Sequence, residues 1–116
     1  MKIAPAVILA LLLPIPYATA KRPAPVPVPP VVSAAIEYSA PHTAMGFVVA
    51  TDTHTHKELW RARIYPVRID PALERDVQDV FITSLALAHG QLIIANERGD
   101  RYTLDPATRK STKLPR

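Results

Sequence analysis

The segment Gly46–Trp60, GFVVATDTHTHKELW, combines an apolar run, a polar turn and the start of an alternating segment. The run Gly46–Thr51 is apolar and β-branched, which is typical of a buried strand. From Glu58 to Tyr65 apolar side chains alternate with arginines, so that Trp60 faces one side and the charges the other. This arrangement predicts two neighbouring antiparallel strands joined by a tight turn.

The centre of this segment occurs a second time, 53 residues later, in Tyr102–Lys110, YTLDPATRK. Asp52 and Thr55 of the first copy correspond to Asp105 and Thr108 of the second. Aspartate and threonine side chains can accept hydrogen bonds from nearby backbone amides, which stabilises a tight turn. The repeat therefore predicts two similar hairpins in the fold.

Both copies resemble the quinoprotein-like (PQQ-type) β-propeller repeat, whose outer hairpin reads apolar-Ala-Leu-Asp-x-x-Thr-Gly-Lys-x-x-Trp. The positions that match are Ala50, Asp52, Thr55, Lys57 and Trp60 in the first copy, and Leu104, Asp105, Thr108 and Lys110 in the second. The family's turn glycine is replaced by His56 and Arg109, and the second tryptophan by Lys113. The resemblance implies blade-like sheets for about one to two blades, whereas a closed ring needs about four. It does not reach the family's cofactor positions, so we expect no cofactor.

Residues 1–20 have the features of a cleaved signal peptide. Lys2 precedes the apolar run Ala6–Leu13, and the small residues Ala18 and Ala20 mark the cleavage position. The alternative is an uncleaved anchor, but this run is less than half of the roughly 20 residues that span a bilayer. We therefore expect a periplasmic or secreted protein without a stable membrane anchor.

Residues 21–32 are predicted to form a proline-rich linker before a small domain at residues 33–116. Five of the ten residues in 21–30 are proline, which favours an extended polyproline II segment. We expect a stiff spacer here; the alternative is a ligand for an aromatic groove.

The domain is expected to be all-β, a small antiparallel meander of about six to seven strands with almost no helix. The predicted strand segments are Val31–Tyr38, Gly46–Thr51, Glu58–Tyr65, Val77–Ala88, Gln91–Ala95, Arg101–Leu104 and a weak edge strand in Arg109–Arg116. Asp70 and Pro71 predict one helical turn. The core is expected to hold Trp60, Tyr65, Phe81 and Tyr102. A single open sheet would either curl into a barrel-like sandwich or pair with another chain.

Two groups of residues are candidates for chemistry. Asp52, His54 and His56 alternate along the chain and could converge on a metal, although a turn at this point would separate them. The segment Asp76–Asp79 holds carboxylates that could act as acid and base. Turn formation and surface charge are the simpler interpretations of both groups.

Composition narrows the function classes. The chain has 116 residues, no cysteine and a net charge of +4, which excludes thiolate chemistry and gives no clustered basic face for nucleic acid. The leading hypothesis is an exported, non-enzymatic binding or scaffolding module that pairs with itself or another exported protein through sheet edges. The alternative hypotheses are a metal-dependent accessory protein or small enzyme using one of the two groups above, and a truncated propeller.

Overall fold

The computed structural model describes residues 23–116. The predicted signal peptide, including its cleavage residues Ala18 and Ala20, lies outside the described residues. Within 23–116 the regular structure consists of eight strands and one 3₁₀ helix of three residues. No helix in this part of the chain is long and apolar enough to cross a membrane.

The strands form two antiparallel sheets, each with its strands in sequence order. The first sheet contains β1 (Val31–Ser33), β2 (Ile36–Ser39), β3 (Phe47–Asp52) and β4 (Glu58–Arg63). The second sheet contains β5 (Ile82–Ala88), β6 (Gln91–Asn96), β7 (Arg101–Leu104) and β8 (Ser111–Lys113). The predicted all-β class is therefore confirmed, as is the weak strand in the tail.

The strand count is higher than predicted because Val31–Tyr38 forms two strands. The chain reverses at Ala34 and Ala35, whose φ angles are 51° and 61°, and Ser33 pairs with Ile36 across the turn. Two-residue hairpin turns of type I′ need positive φ at both positions and normally use asparagine or glycine. An Ala-Ala pair gives no such signal, so the turn is not visible in the sequence.

The single turn predicted at Asp70 and Pro71 forms, with Asp70 as its cap, but it does not continue into a helix. Asp70 Oδ1 accepts the backbone N–H of Ala72 at 2.9 Å, and its carbonyl accepts that of Leu73 at 3.1 Å. These bonds make an isolated turn, and the 3₁₀ helix occurs later, at Asp76–Gln78.

The two sheets share one hydrophobic core. Buried side chains from both sheets and from the segments next to their strands contribute to it: Tyr38, Ala40, Val48, Ala50, Ile64, Tyr65, Val80, Ile82, Leu92, Ile94, Tyr102 and Leu104. The rings of Tyr65 and Tyr102 stack between the sheets, with centroids 5.5 Å apart. Trp60 packs against this core and lies 6.0 Å from the Tyr38 ring. The predicted inward face of β4 is therefore confirmed, and three of the four predicted core aromatics lie in or against the core.

Candidate functional site

The turn between β3 and β4 is built around the Asp52 side chain. Its Oδ1 accepts the backbone N–H groups of His54 at 2.8 Å and Thr55 at 2.9 Å. The Asp52 backbone N–H donates to the Lys57 carbonyl at 2.9 Å, and the Asp52 carbonyl accepts the N–H of His56 at 2.9 Å. The hydrogen bonds from the backbone amides of Thr55 and His54 lower the pKa of Asp52 below its ordinary value.

The turn between β7 and β8 repeats this construction. Asp105 Oδ1 accepts the N–H of Ala107 at 2.9 Å, and the Asp105 backbone N–H donates to the Lys110 carbonyl at 3.0 Å. The Asp105 carbonyl accepts the N–H of Arg109 at 2.7 Å. The threonines are equivalent as well: the hydroxyl oxygen of Thr108, like that of Thr55, accepts an amide two residues ahead. The sequence repeat is thus a repeat of turn geometry.

His56 and Arg109 occupy the same left-handed position in the two turns, with φ of 60° and 63°. Glycine adopts this conformation without the steric penalty that a Cβ brings. Arg109 has a second contact, because its guanidinium lies 5.3 Å from the centroid of the Trp60 ring on the other sheet. The second turn therefore also holds the two sheets together.

We expect His56→Gly to raise the free energy of unfolding by about 0.5–1 kcal/mol, because it removes left-handed strain at an exposed position. Arg109→Gly should give a smaller gain or none, since it also removes the cation–π contact with Trp60. Urea unfolding of both variants measures the difference. Equal gains would mean that the Trp60 contact contributes nothing.

The structure does not gather a metal site from Asp52, His54 and His56. Among residues 23–116, no group of three or more His, Cys, Asp or Glu side chains is placed to hold a metal ion. Asp52 instead binds its own turn, and both histidines are exposed. Asp52 therefore has the role in the turn that its spacing to Thr55 predicts.

The segment Asp76–Asp79 forms the 3₁₀ helix and the residue that ends it. The Gln78 side chain anchors the segment, because its amide nitrogen donates to the carbonyls of Asp70 and Glu74, both at 3.0 Å. Asp76 and Asp79 are half-buried. These contacts fix the loop between the two sheets.

Asp100 is a buried carboxylate, 6% exposed, that accepts hydrogen bonds from the Arg116 side chain. The distances from Asp100 Oδ1 are 2.9 Å to Nε and 2.5 Å to Nη2. The guanidinium lowers the pKa of Asp100, and Arg61 lowers that of Glu58 in the same way. No local sequence pattern indicates that Asp100 is buried.

These lowered pKa values predict a loss of stability in acid. A carboxyl whose pKa is lower in the folded state stabilises the fold above its ordinary pKa, and that contribution disappears as the pH falls through the folded pKa. We expect the Tm to fall below about pH 4, with a smaller fall in the double variant Asp52→Asn and Asp100→Asn. Thermal unfolding followed by circular dichroism between about pH 6 and pH 2.5 measures this. An unchanged fall in the double variant would contradict the assignment.

The proline-rich segment lies against the domain over the residues that the structure describes. Pro25, Val28 and Val31 are half-buried while the residues between them are exposed, and Val28 packs on the core. A period of three residues is that of a polyproline II helix with one face on a surface. Composition alone predicted the extended conformation but not this contact.

A groove of about 360 Å³ lies between this segment and the domain. Its lining is largely apolar, with a few polar groups: Pro25, Val26, Pro27, Pro29, His42, Phe81, Ile82, Thr83 and Glu97. The His42 ring lies 4.9 Å from the Phe81 ring, and its Nε2 is buried without a hydrogen-bond partner among the described residues. Phe81 thus borders the groove and is not part of the core cluster. Sequence reasoning missed this groove because its parts are far apart in the chain.

No protein-family model matches the chain, and a search of curated proteins finds no match.

Proposed function

We propose that this protein is an exported, non-enzymatic binding or scaffolding module that pairs with an extended segment of a partner protein through the edge of β5. The observation that carries the proposal is that no strand pairs with the outer edge of β5 within the described residues, although β1 and the proline-rich segment lie near it. Within residues 23–116, β5 is a terminal strand of its sheet and pairs only with β6. Extended segments bind such edges by adding a strand.

The composition of β5 distinguishes it from the other three edge strands. It has seven residues, ITSLALA, with no charge and no proline. By contrast, β1 and β8 have three residues each, and β4 carries Glu58, Arg61 and Arg63. Short and charged edges resist pairing, whereas long uncharged edges favour it.

The hairpin geometry identifies the amides that would bind. Ala88 pairs with Gln91 across a two-residue turn, so Ala88 and every second residue before it face β6 through their backbone. The N–H groups of Leu85 and Leu87 therefore point away from β6. Neither amide pairs with a strand within residues 23–116, so we propose that they donate to the carbonyls of a strand from another chain.

Site-specific photo-crosslinking in the exported fraction tests the proposal. A photoreactive residue at Thr83, exposed on β5, should give a crosslinked product, whereas one at Leu73, an exposed loop residue, should not. Leu87→Pro removes an outward N–H and should abolish the product, while Leu87→Ala should retain it. A cooperative thermal transition shows that each variant folds. Equal crosslinking from Thr83 and Leu73, or none from either, would overturn the proposal.

The alternative, a metal-dependent accessory protein or small enzyme, is tested separately. Metal analysis of the purified full chain would detect a bound ion. Stoichiometric metal that is lost on changing His54 and His56 to alanine would replace the binding proposal.

We also propose that the two sheets are two units of the quinoprotein-like β-propeller repeat. The equivalent turns at Asp52 and Asp105, each between the third and fourth strands of its sheet, support this relationship. The Trp60–Arg109 contact supports it as well, because it joins one repeat to the next.

A further inference from the structure

The two repeats place their aspartate turns at the same point of each sheet. The Asp52 turn joins β3 to β4, and the Asp105 turn joins β7 to β8. Residues of the second and third strands of each sheet can therefore be matched by counting back from these turns and across the strand registers.

Residues two positions before each aspartate are buried in the first sheet but not in the second. Ala50 and its cross-strand partner Tyr38 are buried in the core between the sheets. Their equivalents, Thr103 and its partner Ile93, lie outside the core cluster and are half-buried. Thr103 and Ile93 therefore face away from the first sheet.

Residues one position before each aspartate show the reverse. Leu104 and its partner Leu92 are fully buried in the core. Their equivalents, Thr51 and its partner Glu37, are half-buried and lie outside the core cluster. Thr51 and Glu37 thus face away from the second sheet.

This opposite alternation means that the two repeats stack head to tail. If they met face to face about a two-fold axis, equivalent residues would be buried in both sheets. Instead, one face of the first sheet packs on the opposite, non-equivalent face of the second sheet. A head-to-tail contact leaves one unused face at each end. The unused face of the second sheet is equivalent to the face that the first sheet turns to the core. The unused face of the first sheet is equivalent to the face that the second sheet turns to the core.

The two unused faces can be defined by their residues. The back face is the outer side of the first sheet, formed by Val32, Glu37, Ser39 and Thr51, by Val49, which is 7% exposed, and by the charged β4 residues Glu58, Arg61 and Arg63. The front face is the outer side of the second sheet, formed by Ala86, Ile93, Ala95, Arg101, Thr103 and Thr112. Each mixes apolar, polar and charged side chains, and contacts between separately folded chains are likewise about as apolar as the rest of a protein surface.

We infer that copies of this chain associate by placing the front face of one copy on the back face of the next. The contact continues the stacking already present between the two sheets within one chain. It uses sheet faces, so it goes beyond the proposed pairing at the β5 edge and does not depend on it. Contacts of this type close into rings when the rotation per copy permits.

Two single variants test the contact, one on each face. Light scattering of the full chain is expected to give the mass of two or more copies. Val32→Arg on the back face and Thr103→Arg on the front face should each reduce this mass to that of one chain. Val77→Arg is the matched control, because Val77 is 63% exposed in the 3₁₀ helix and Val32 is 60% exposed; it should not change the mass.

Mixing the two variants gives the decisive result. Each variant retains one intact face, and the intact faces are complementary, so an equal mixture should form a species of two chains that grows no further. A single-chain mass for the unchanged protein, or loss of association in only one face variant, would overturn the inference.

Leu87→Pro should leave self-association unchanged, so failure of the edge proposal and failure of face stacking are separate outcomes. Cooperative thermal unfolding of each variant confirms that it folds.

Discussion

Replacing Leu104 with alanine is expected to lower the free energy of unfolding by about 2–5 kcal/mol. Leu104 is 0% exposed and lies opposite Leu92, another fully buried side chain, in the centre of the core. Its removal leaves a cavity that neighbouring strands cannot fill without moving, since both sides of the core are fixed in sheets. A loss of this size is a large fraction of the stability of a small domain.

Urea unfolding of Leu104→Ala against Leu87→Ala measures the effect. Leu87 lies opposite Leu92 on the other side of β6 but is 40% exposed, so its truncation should lose about 1 kcal/mol or less. Both variants truncate a leucine that lies opposite Leu92, so they compare a core position with a partly exposed one. Similar losses at the two positions would mean that the core between the sheets is not packed as described.

The predictable features of this fold are those that depend on neighbouring residues. The spacing of Asp52 and Thr55 predicts a side-chain-stabilised turn, and its recurrence at Asp105 predicts a second one; both turns form. The alternation after Glu58 places Trp60 on the inner face. In each case the physical cause lies within a few residues along the chain, where sequence patterns are informative.

The division into two sheets depends on contacts that such patterns do not contain. The resemblance to a repeat suggested blade-like units, but period-two alternation is the same in one sheet of eight strands and in two sheets of four. The choice is made by packing between distant residues, such as the stacking of Tyr65 on Tyr102. The Ala34-Ala35 reversal was also missed, because alanine has no intrinsic preference for left-handed φ.

The groove shows the same limit for candidate sites. His42 follows a proline in the loop after β2, and its position in a loop was predictable. Its neighbour Phe81 is 39 residues later, and Pro27 is 15 residues earlier. The local pattern instead offers the clustered histidines His54 and His56 as a candidate site, with turn formation as the simpler interpretation, and the structure leaves both exposed in a turn.

Gly46 occupies a position where two constraints coincide. Its φ is +80°, and its carbonyl accepts the N–H of Ile64 at 2.7 Å, which brings the start of β3 close to the segment after β4. A Cβ at this position would lie 2.6 Å from the carbonyl oxygen of Tyr65. The Tyr65 hydroxyl donates to the Val80 carbonyl at 2.6 Å, and burial raises the pKa of this phenol well above its ordinary value. Tyr65 is therefore held at both its backbone and its side chain.

Gly46→Ala is accordingly expected to lower the free energy of unfolding by at least about 2 kcal/mol, because the strain of a left-handed alanine adds to a clash with backbone that cannot rotate away. Gly99→Ala separates the two causes. Gly99 has the same φ of +80°, but a Cβ there meets no heavy atom within 4 Å, so only the conformational strain of about 1 kcal/mol remains. Urea unfolding of both variants gives the difference. Equal losses would mean that the segment after β4 moves freely away from Gly46, contrary to the two hydrogen bonds that hold Ile64 and Tyr65.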